Sequence, residues 1–331
     1  MSTRDKVLLA FHDRPGRSLS GTALARQLGL SRTAIWKQVQ TLRRQGIPIQ
    51  SDSKIGYRLS GPPDFSLTDF KSPRSLEGWL KVHYEVSTAT TQKLAKAGAQ
   101  AGLPEGHLWV SEVQTSGRGR LARLWESPFG GLWFSLLLRP ALPAGKVPPL
   151  TLVAALALAE SASEITHQNI YLKWPNDLVV WRHDRWKKVA GILTEMSGET
   201  DRTDWVVMGI GVNVNNAIPA NLTEKAMALR ELYRHPPRSS AVDDDFVISR
   251  GKLLSLFLQK FRPLYTNFQR NGFEPFQKRY WARYGQANRS VRIQTTGGEI
   301  HGTARGVDPV GMLIIESRRK RVHVSEGEIV L

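Results

Sequence analysis

Cysteine does not occur among the 331 residues. Its absence excludes a disulfide framework, a thiolate metal site and a cysteine nucleophile, and it agrees with a reducing compartment. Long apolar runs are missing as well. The longest, LTLVAALALA over 150–159, is about half a membrane span and reads as a buried helix. The opening MSTRDKVLLA sets charges among its few apolar residues, unlike a signal peptide. The expected setting is therefore cytoplasmic, with no membrane association. Internal repeats and low-complexity tracts are lacking. Acids are scarce relative to bases: 29 Asp and Glu stand against 46 Lys and Arg, and the net charge of +17 points to polyanions or anionic ligands. With 41% hydrophobic residues, the chain has apolar material for two or three folded domains.

The positive charge is densest at one end. Residues 1–63 carry eleven Lys and Arg against three acids. Helical periodicity over 5–12 gives way to a Pro-Gly break, and a short helix is expected over 21–28, with Leu24 and Leu28 on one face. Gly29 suits a left-handed cap. Ser31 suits the N-cap of a helix over 32–45, where Ile35, Val39 and Leu42 repeat at helical spacing and Gly46 ends the run. The β-like runs IPIQS and GYRLS then flank Asp52, Ser53 and Lys54. Three helices followed by a hairpin make a winged helix-turn-helix, whose recognition helix enters the major groove by its N-terminal residues. The expected DNA contacts are Thr22, Ser31, Arg32, Thr33, Trp36 and Lys37, with Lys54 and Arg58 on the wing. The plainer reading of this pattern is a small protein-docking domain.

Gly61-Pro62-Pro63 reads as a linker, and 64–80 as a short helical lead-in. From 82 to 215, strand-like runs (HLWVSEV, GLWFSLLL, IYLKWP, DLVVW, VAGILTEM and WVVMGIGVNV) alternate with two expected helices, 89–101 and 148–165. That implies an α+β domain with a mixed or antiparallel sheet. Residues 217–245 are polar and irregular. A helix is expected over 246–271, a shorter one up to Tyr284, and then about five short strands in a small β-barrel.

Three stretches carry chemistry. In SGRGRLARLW (116–125) the glycines let the backbone approach a ligand, and Arg118, Arg120 and Arg123 offer bidentate donors for carboxylate or phosphate. Trp125 adds a flat face on which a base can stack. In KWPND (173–177), Pro175 shapes a tight turn from which Asn176 and Asp177 project; the pair suits a metal–phosphate or an incoming amine. KKVAGIL (187–193) sets Lys188 three residues before Gly191, and GIGVNVN (209–215) combines close-packing glycines with the amide of Asn213, suited to an adenine edge. Taken singly, these motifs also fit a solvated basic loop, a surface lysine and a buried strand.

In this order the motifs resemble those of the biotin–protein ligases, which carry a GRGR-x-G-R-x-W loop, KWPND, a lysine before AGIL and a GIGIN strand. The likeness extends to SRTAIWKQVQTLRRQG and GYRL near the N-terminus and to RGVDPVGMLII and GEIVL near the C-terminus. It implies a multidomain α+β chain: a winged helix-turn-helix over 1–63, a catalytic domain with a mixed sheet over 64–284, and a small SH3-like β-barrel over 285–331. It also implies ATP-dependent formation of biotinyl-5′-AMP, with Mg²⁺ on the ATP phosphates. Biotin then passes to a lysine of a biotin carboxyl carrier protein, a subunit of acetyl-CoA carboxylase.

By position, the resemblance assigns Ser87, Thr88, Ala89 and Gln114 to biotin's ring, and Arg118, Gly119 and Arg120 to its tail and the phosphate. Lys188 bridges carboxylate and α-phosphate. Trp125, Asn213 and Arg123 serve the adenylate, Asn176 helps place Mg²⁺ and phosphates, and Asp177 orients or deprotonates the acceptor lysine. Two departures stand out. Ala89 takes the place of an asparagine in the family's STN segment. Ala122 takes the place of a loop glycine, at a cost of about 1 kcal/mol should its φ be positive. The bifunctional members also repress biotin synthesis genes as ligand-linked homodimers on operator DNA. Three alternatives remain at this level: a ligase without regulatory DNA binding, a lipoate-type acyl ligase, and a DNA-binding regulator whose ligase domain only senses its ligand.

Overall fold

The computed structural model describes residues 2–14, 17–52, 54–60, 64–65, 76–233, 247–318 and 320–330. The expected linker at 61–63, most of the helical lead-in at 64–80 and the stretch 234–246 lie outside them.

The first domain follows its caps. Ser2 and Asp5 form a reciprocal capping box at the start of α1 (Thr3–His12). Ser20 caps α2 (Gly21–Leu28), and Gly29 closes it at φ 66°. Ser31 caps α3 (Arg32–Arg44) through the Ala34 amide. β1 (Ile49–Asp52) and β2 (Gly56–Leu59) pair antiparallel as the wing, which Arg43 ties to α3 through the Ile49 carbonyl at 2.7 Å. Val7, Leu8, Phe11, Leu24, Ile35, Val39 and Leu42 fill the core between the helices.

The central domain is built on a seven-stranded sheet in the order β3-β4-β5-β9-β8-β7-β6. Its strands are β3 (Lys81–Thr88), β4 (His107–Gln114), β5 (Leu132–Leu138), β6 (Tyr171–Lys173), β7 (Asp177–Arg182), β8 (Arg185–Gly198) and β9 (Thr203–Val212). β3 and β4 run parallel through the crossover helix α4 (Thr91–Gln100); the other neighbours are antiparallel, so the sheet is mixed. Alternation sorts the two faces. Trp109, Leu137 and Val207 pack beneath Ala95 and Ala99 of α4, while residues one step along each strand (Leu108, Val110, Leu136, Leu138, Val206, Met208) join the main core. That core includes α5 (Leu150–Thr166) and α6 (Arg250–Asn271), which pack on each other; α7 (Gln277–Ala282) follows. The apolar run 150–159 is indeed a buried helix. β3 was not among the strand-like runs, and α6 begins at Arg250 rather than 246.

The last domain is a five-stranded antiparallel sheet in the order β13-β12-β11-β10-β14, from β10 (Ser290–Thr295), β11 (Gly298–Val307), β12 (Leu313–Ser317), β13 (Lys320–Val324) and β14 (Glu328–Val330).

A buried ionic cluster joins the first two domains. Arg250 pairs with Asp64 at 2.6 Å and with Glu112 at 2.7 Å, and His12 of α1 reaches Glu112 at 3.2 Å. The Tyr84 hydroxyl donates to the same Glu112 carboxylate at 2.7 Å, and Asn215 donates to Asp64. The guanidinium lies between the rings of Phe65 and Phe129. Burial alone raises the Glu112 carboxyl, but Arg250 and then His12 override it and hold the group far below the usual carboxylate range.

Candidate active site

A cavity of about 450 Å³ opens on the α4-bearing face of the sheet, between the arginine loop, the KWPND turn and the C-terminal domain. Its floor follows one register row. Gly211 of β9 pairs with Gly191 of β8, Gly191 with Asp177 of β7, and Asp177 with Lys173 of β6. Residues opposed across strands project to the same face, so two bare glycines, a carboxylate and a lysine stand side by side. The glycines are required there. A methyl group on Gly211 would come within 2.5 Å of Trp125 Nε1, and one on Gly191 within 3.1 Å of both Trp125 and Lys188. Trp125 lies directly on this floor, with its indole N–H buried and without a partner among the described residues.

Lys188 joins the row through a β-bulge. Leu178 pairs with Ala190, but Val179 pairs with Lys188, so Val189 is the extra residue. Without the bulge, Lys188 would face away from Gly191; with it, the lysine turns to the cavity. Its amine pairs with Asp177 at 2.7 Å and stands 4.9 Å from the centre of the Trp125 ring. The segment after β9 runs beside it: the Lys188 amide donates to Lys225 at 2.8 Å, and Met227 donates to Lys188 at 3.0 Å. Residues 218–226 thereby close one wall, including Pro219 and Leu222.

The arginine loop is an ordered turn. The Trp125 backbone N–H donates to the Gly117 carbonyl at 2.9 Å, and the Gly119 backbone N–H to the Arg123 carbonyl at 2.8 Å. Leu121 and Ala122 have φ of 55° and 57°, so the alanine does occupy the left-handed region that favours glycine. Arg118 folds back to the Ala122 carbonyl at 3.4 Å. Arg120 donates to Asn176 Oδ1 at 3.2 Å and to the Gly327 carbonyl at 3.3 Å, and Arg123 pairs with Glu328 at 2.6 Å. The loop therefore touches both the KWPND turn, whose Trp174–Pro175 bond is cis, and the C-terminal domain.

A polar cluster closes the deep end. The Gln114 carbonyl accepts from the Thr91 amide at 2.8 Å, and its amide donates to Ser127 at 3.0 Å. Thr91 and Ser135 share a hydroxyl contact of 2.8 Å, and Ser135 donates to Gln92 Oε1 at 3.0 Å. Gly209, opposite Ser135, leaves room for that carbonyl.

Gln114, Arg118, Gly119, Arg120, Arg123, Trp125, Asn176, Asp177, Lys188 and Asn213 all line this one cavity. Asn213 is buried, and its carbonyl accepts from Asn216 at 3.1 Å. Ser87, Thr88 and Ala89 do not line it. Ser87 and Thr88 belong to β3, and the Thr88 and Ala89 carbonyls accept from Thr115 and Ser116. The residues at the cavity are Thr90, Thr91 and Gln92, because the chain leaves β3 and enters α4 there. They form a hydroxyl–hydroxyl–amide triplet like STN, three positions later than the string match placed it, and this was the signal that could have located them. Lys173, the first residue of KWPND, also lines the cavity. Burial, then Lys188 and Arg123, pull its amine below the usual lysine range, against the opposing pull of Asp177 and Glu328.

The expected DNA-contacting residues are each exposed. Thr22, Ser31, Arg32, Thr33, Trp36, Lys37, Lys54 and Arg58 are all solvent-facing, with Trp36 52% exposed, and α3 carries no acid. Arg58 donates to Gln50 across the wing at 3.0 Å.

The comparisons agree with this architecture. The model described as "Biotin/lipoate A/B protein ligase family" matches residues 84–213; an "HTH domain" matches 4–58 and a "Biotin protein ligase C terminal domain" 287–331. The chain is 34% identical to the bifunctional ligase/repressor BirA of Bacillus subtilis over 99% of both chains. It is 31% identical to that of Escherichia coli, over 91% of this chain and 89% of the other. Among solved structures, a biotin protein ligase from Aquifex aeolicus in complex with biotin and ATP is 28% identical and aligns with a TM-score of 0.63, over 76% of this chain and 97% of that one. Given this identity along essentially the whole length, with the three domains in order, the chain belongs to the biotin protein ligase family.

Proposed function

We propose that the chain joins biotin to ATP as biotinyl-5′-AMP, releasing pyrophosphate, and then transfers biotin to a lysine of a biotin carboxyl carrier protein. The observation that carries this reading is the register row. It sets a flat glycine floor under Trp125 and, beside it, a lysine held by Asp177. Adenine stacks against Trp125, whose buried indole N–H lacks a partner among the described residues, near Asn213. Biotin's cyclic urea offers two N–H donors and one carbonyl, which suit the hydroxyls and amides of Thr91, Gln92, Gln114 and Ser135. Its carboxylate then reaches Lys188, whose charge, with Arg118 and Arg120, lowers the repulsion between carboxylate and α-phosphate and stabilises the charge of the transition state. Mg²⁺ bound to the ATP phosphates would offset their negative charge. Asn176, whose side-chain carbonyl accepts from Arg120, would be the residue to help hold it. The floor, the arginine loop and the C-terminal domain keep water from the anhydride.

The same chain represses biotin synthesis genes as an adenylate-bound dimer. α3 and the wing supply the basic, acid-poor surface. The stretch of β8 from Thr194 to Gly198, which pairs only with β9 and exposes Met196, supplies a sheet edge for the second copy. No described helix is long and apolar enough to cross a membrane. Two assays test the two halves. Labelled biotin becomes covalently attached to the carrier only with ATP present, and operator DNA shifts on a gel only with biotin and ATP. Attachment without a ligand-dependent shift would leave the ligase and remove the repressor.

A further inference from the structure

KWPND contributes three polar side chains, and the proposed reaction above uses only Asn176 and Asp177. Lys173 lies on the same row, one strand beyond Asp177, on β6 at the outer edge of the sheet. Its side chain is half-buried and lines the cavity. Among the described residues its amine forms no ion pair, whereas Lys188 is committed to Asp177 at 2.7 Å. The two lysines therefore stand on either side of one carboxylate in different situations. Lys188 is the inner cation beside Trp125. Lys173 lines the cavity on the other side of Asp177, and residues 283–285 cover the outer edge of its strand.

An amine acceptor creates a particular demand there. A free lysine side chain is an ammonium with a pKa near 10.4 and has no lone pair until it loses a proton. Asp177 already neutralises Lys188. We propose that Lys173 is a catalytic residue of the transfer half-reaction: its amine, once unprotonated, takes the proton from the ammonium of a lysine entering the cavity. The inference rests on the ligase reading. The ammonium gives one proton to Lys173 Nζ, and the freed lone pair attacks the acyl carbon of the mixed anhydride. The bond from that carbon to the phosphate oxygen breaks, AMP leaves with the electron pair, and the nitrogen sheds its second proton to water. Lys173 then returns its proton to solvent.

The surroundings favour loss of its proton. Facing Lys173 are Asp177 from β7, Lys188 from β8, Arg123 from the arginine loop and Glu328 from β14. Burial and the two cations outweigh the two acids, so the amine is easier to deprotonate than an exposed lysine. By linkage, its proton is lost as pH rises through a value below the usual lysine range.

The test separates the half-reactions. Biotin-dependent pyrophosphate exchange reports the first. Single-turnover transfer from the preformed adenylate complex to a carrier domain reports the second. Lys173→Met and Lys173→Gln should slow transfer about 100-fold, the lower end for general bases, and at least ten times more than they slow exchange. Wild-type transfer should rise with pH and level off below the usual lysine range; the Met variant should keep rising until the acceptor amine itself is free. Lys173→Arg should not rescue transfer, because a guanidinium does not give up its proton. Equal loss in both half-reactions, or rescue by arginine, would overturn the proposal and leave Lys173 as a plain cation. A wild type with no biotin-dependent exchange at all would instead strike the ligase reading.

Discussion

Lys188→Ala lowers biotin-dependent pyrophosphate release roughly 100- to 1,000-fold, the loss that follows removal of one preorganised donor from a developing negative charge. Three features argue for an effect of that size. The β-bulge at Val189 exists on the row and turns this one side chain to the cavity. The amine is placed by Asp177 at 2.7 Å and by the Trp125 ring, so it pays little ordering entropy when substrate arrives. The arginines are tied to the Ala122 carbonyl, to Asn176 and Gly327, and to Glu328, whereas Lys188 stands against Gly191 of the floor. The lysine is partly exposed, so losing its ion pair costs at most about 1 kcal/mol and the unfolding temperature should hardly move. A loss of activity below tenfold with the fold intact would place the central cation elsewhere.

Arg250→Met destabilises the chain by about 3–5 kcal/mol, because it strands two buried carboxylates. Asp64 and Glu112 both lean on this one guanidinium, at 2.6 and 2.7 Å, and neither can reach water. For a central domain of this size the unfolding midpoint should fall by roughly 10 °C. Arg250→Lys should recover only part of the loss, since one ammonium cannot hold two carboxylates in the geometry of a planar fork. The effect depends on pH. Glu112 has a folded value below its ordinary 4.5, so its contribution is present above that pH and is lost as pH falls below it. Asp64, raised by burial, works in the opposite sense. Because His12 joins the same cluster, the Met variant should also loosen α1 from the central domain, seen as faster amide exchange over 3–12. A stability within about 1 kcal/mol of the wild type would mean that water or a rearrangement relieves the carboxylates.

The winged helix could be read almost residue by residue, because its signals are local: a serine one position before each helix and a glycine after α2. The cavity motifs could be read as a set but not as a geometry. GRGR, KWPND, KKVAGIL and GIGVN do meet at one place. What joins them is cross-strand register, together with the bulge that turns Lys188 inward, and neither has a mark in the chain. β3 escaped because KVHYEVST alternates polar and apolar residues weakly, and its partner β4 is parallel and beyond a helix. Ser87 and Thr88 stand outside the cavity for a related reason: Ser87-Thr88 and Thr90-Thr91 are both hydroxyl pairs, and the strand-to-helix turn brings the second pair to it. Ala122 was the opposite case. Its methyl group raised a conditional question, and φ of 57° answers it. The ionic cluster around Arg250 draws on residues 12, 64, 112 and 250, a spacing that no local pattern announces.

The most direct measurement is pyrophosphate release from labelled ATP by the purified full chain with Mg²⁺, with and without biotin. The account predicts release that depends on biotin, is not supported by lipoate, and collapses in Lys188→Ala. Release that ignores biotin, or that lipoate supports equally well, would contradict it and require another acid for the polar cluster formed by Thr91, Gln92, Gln114 and Ser135.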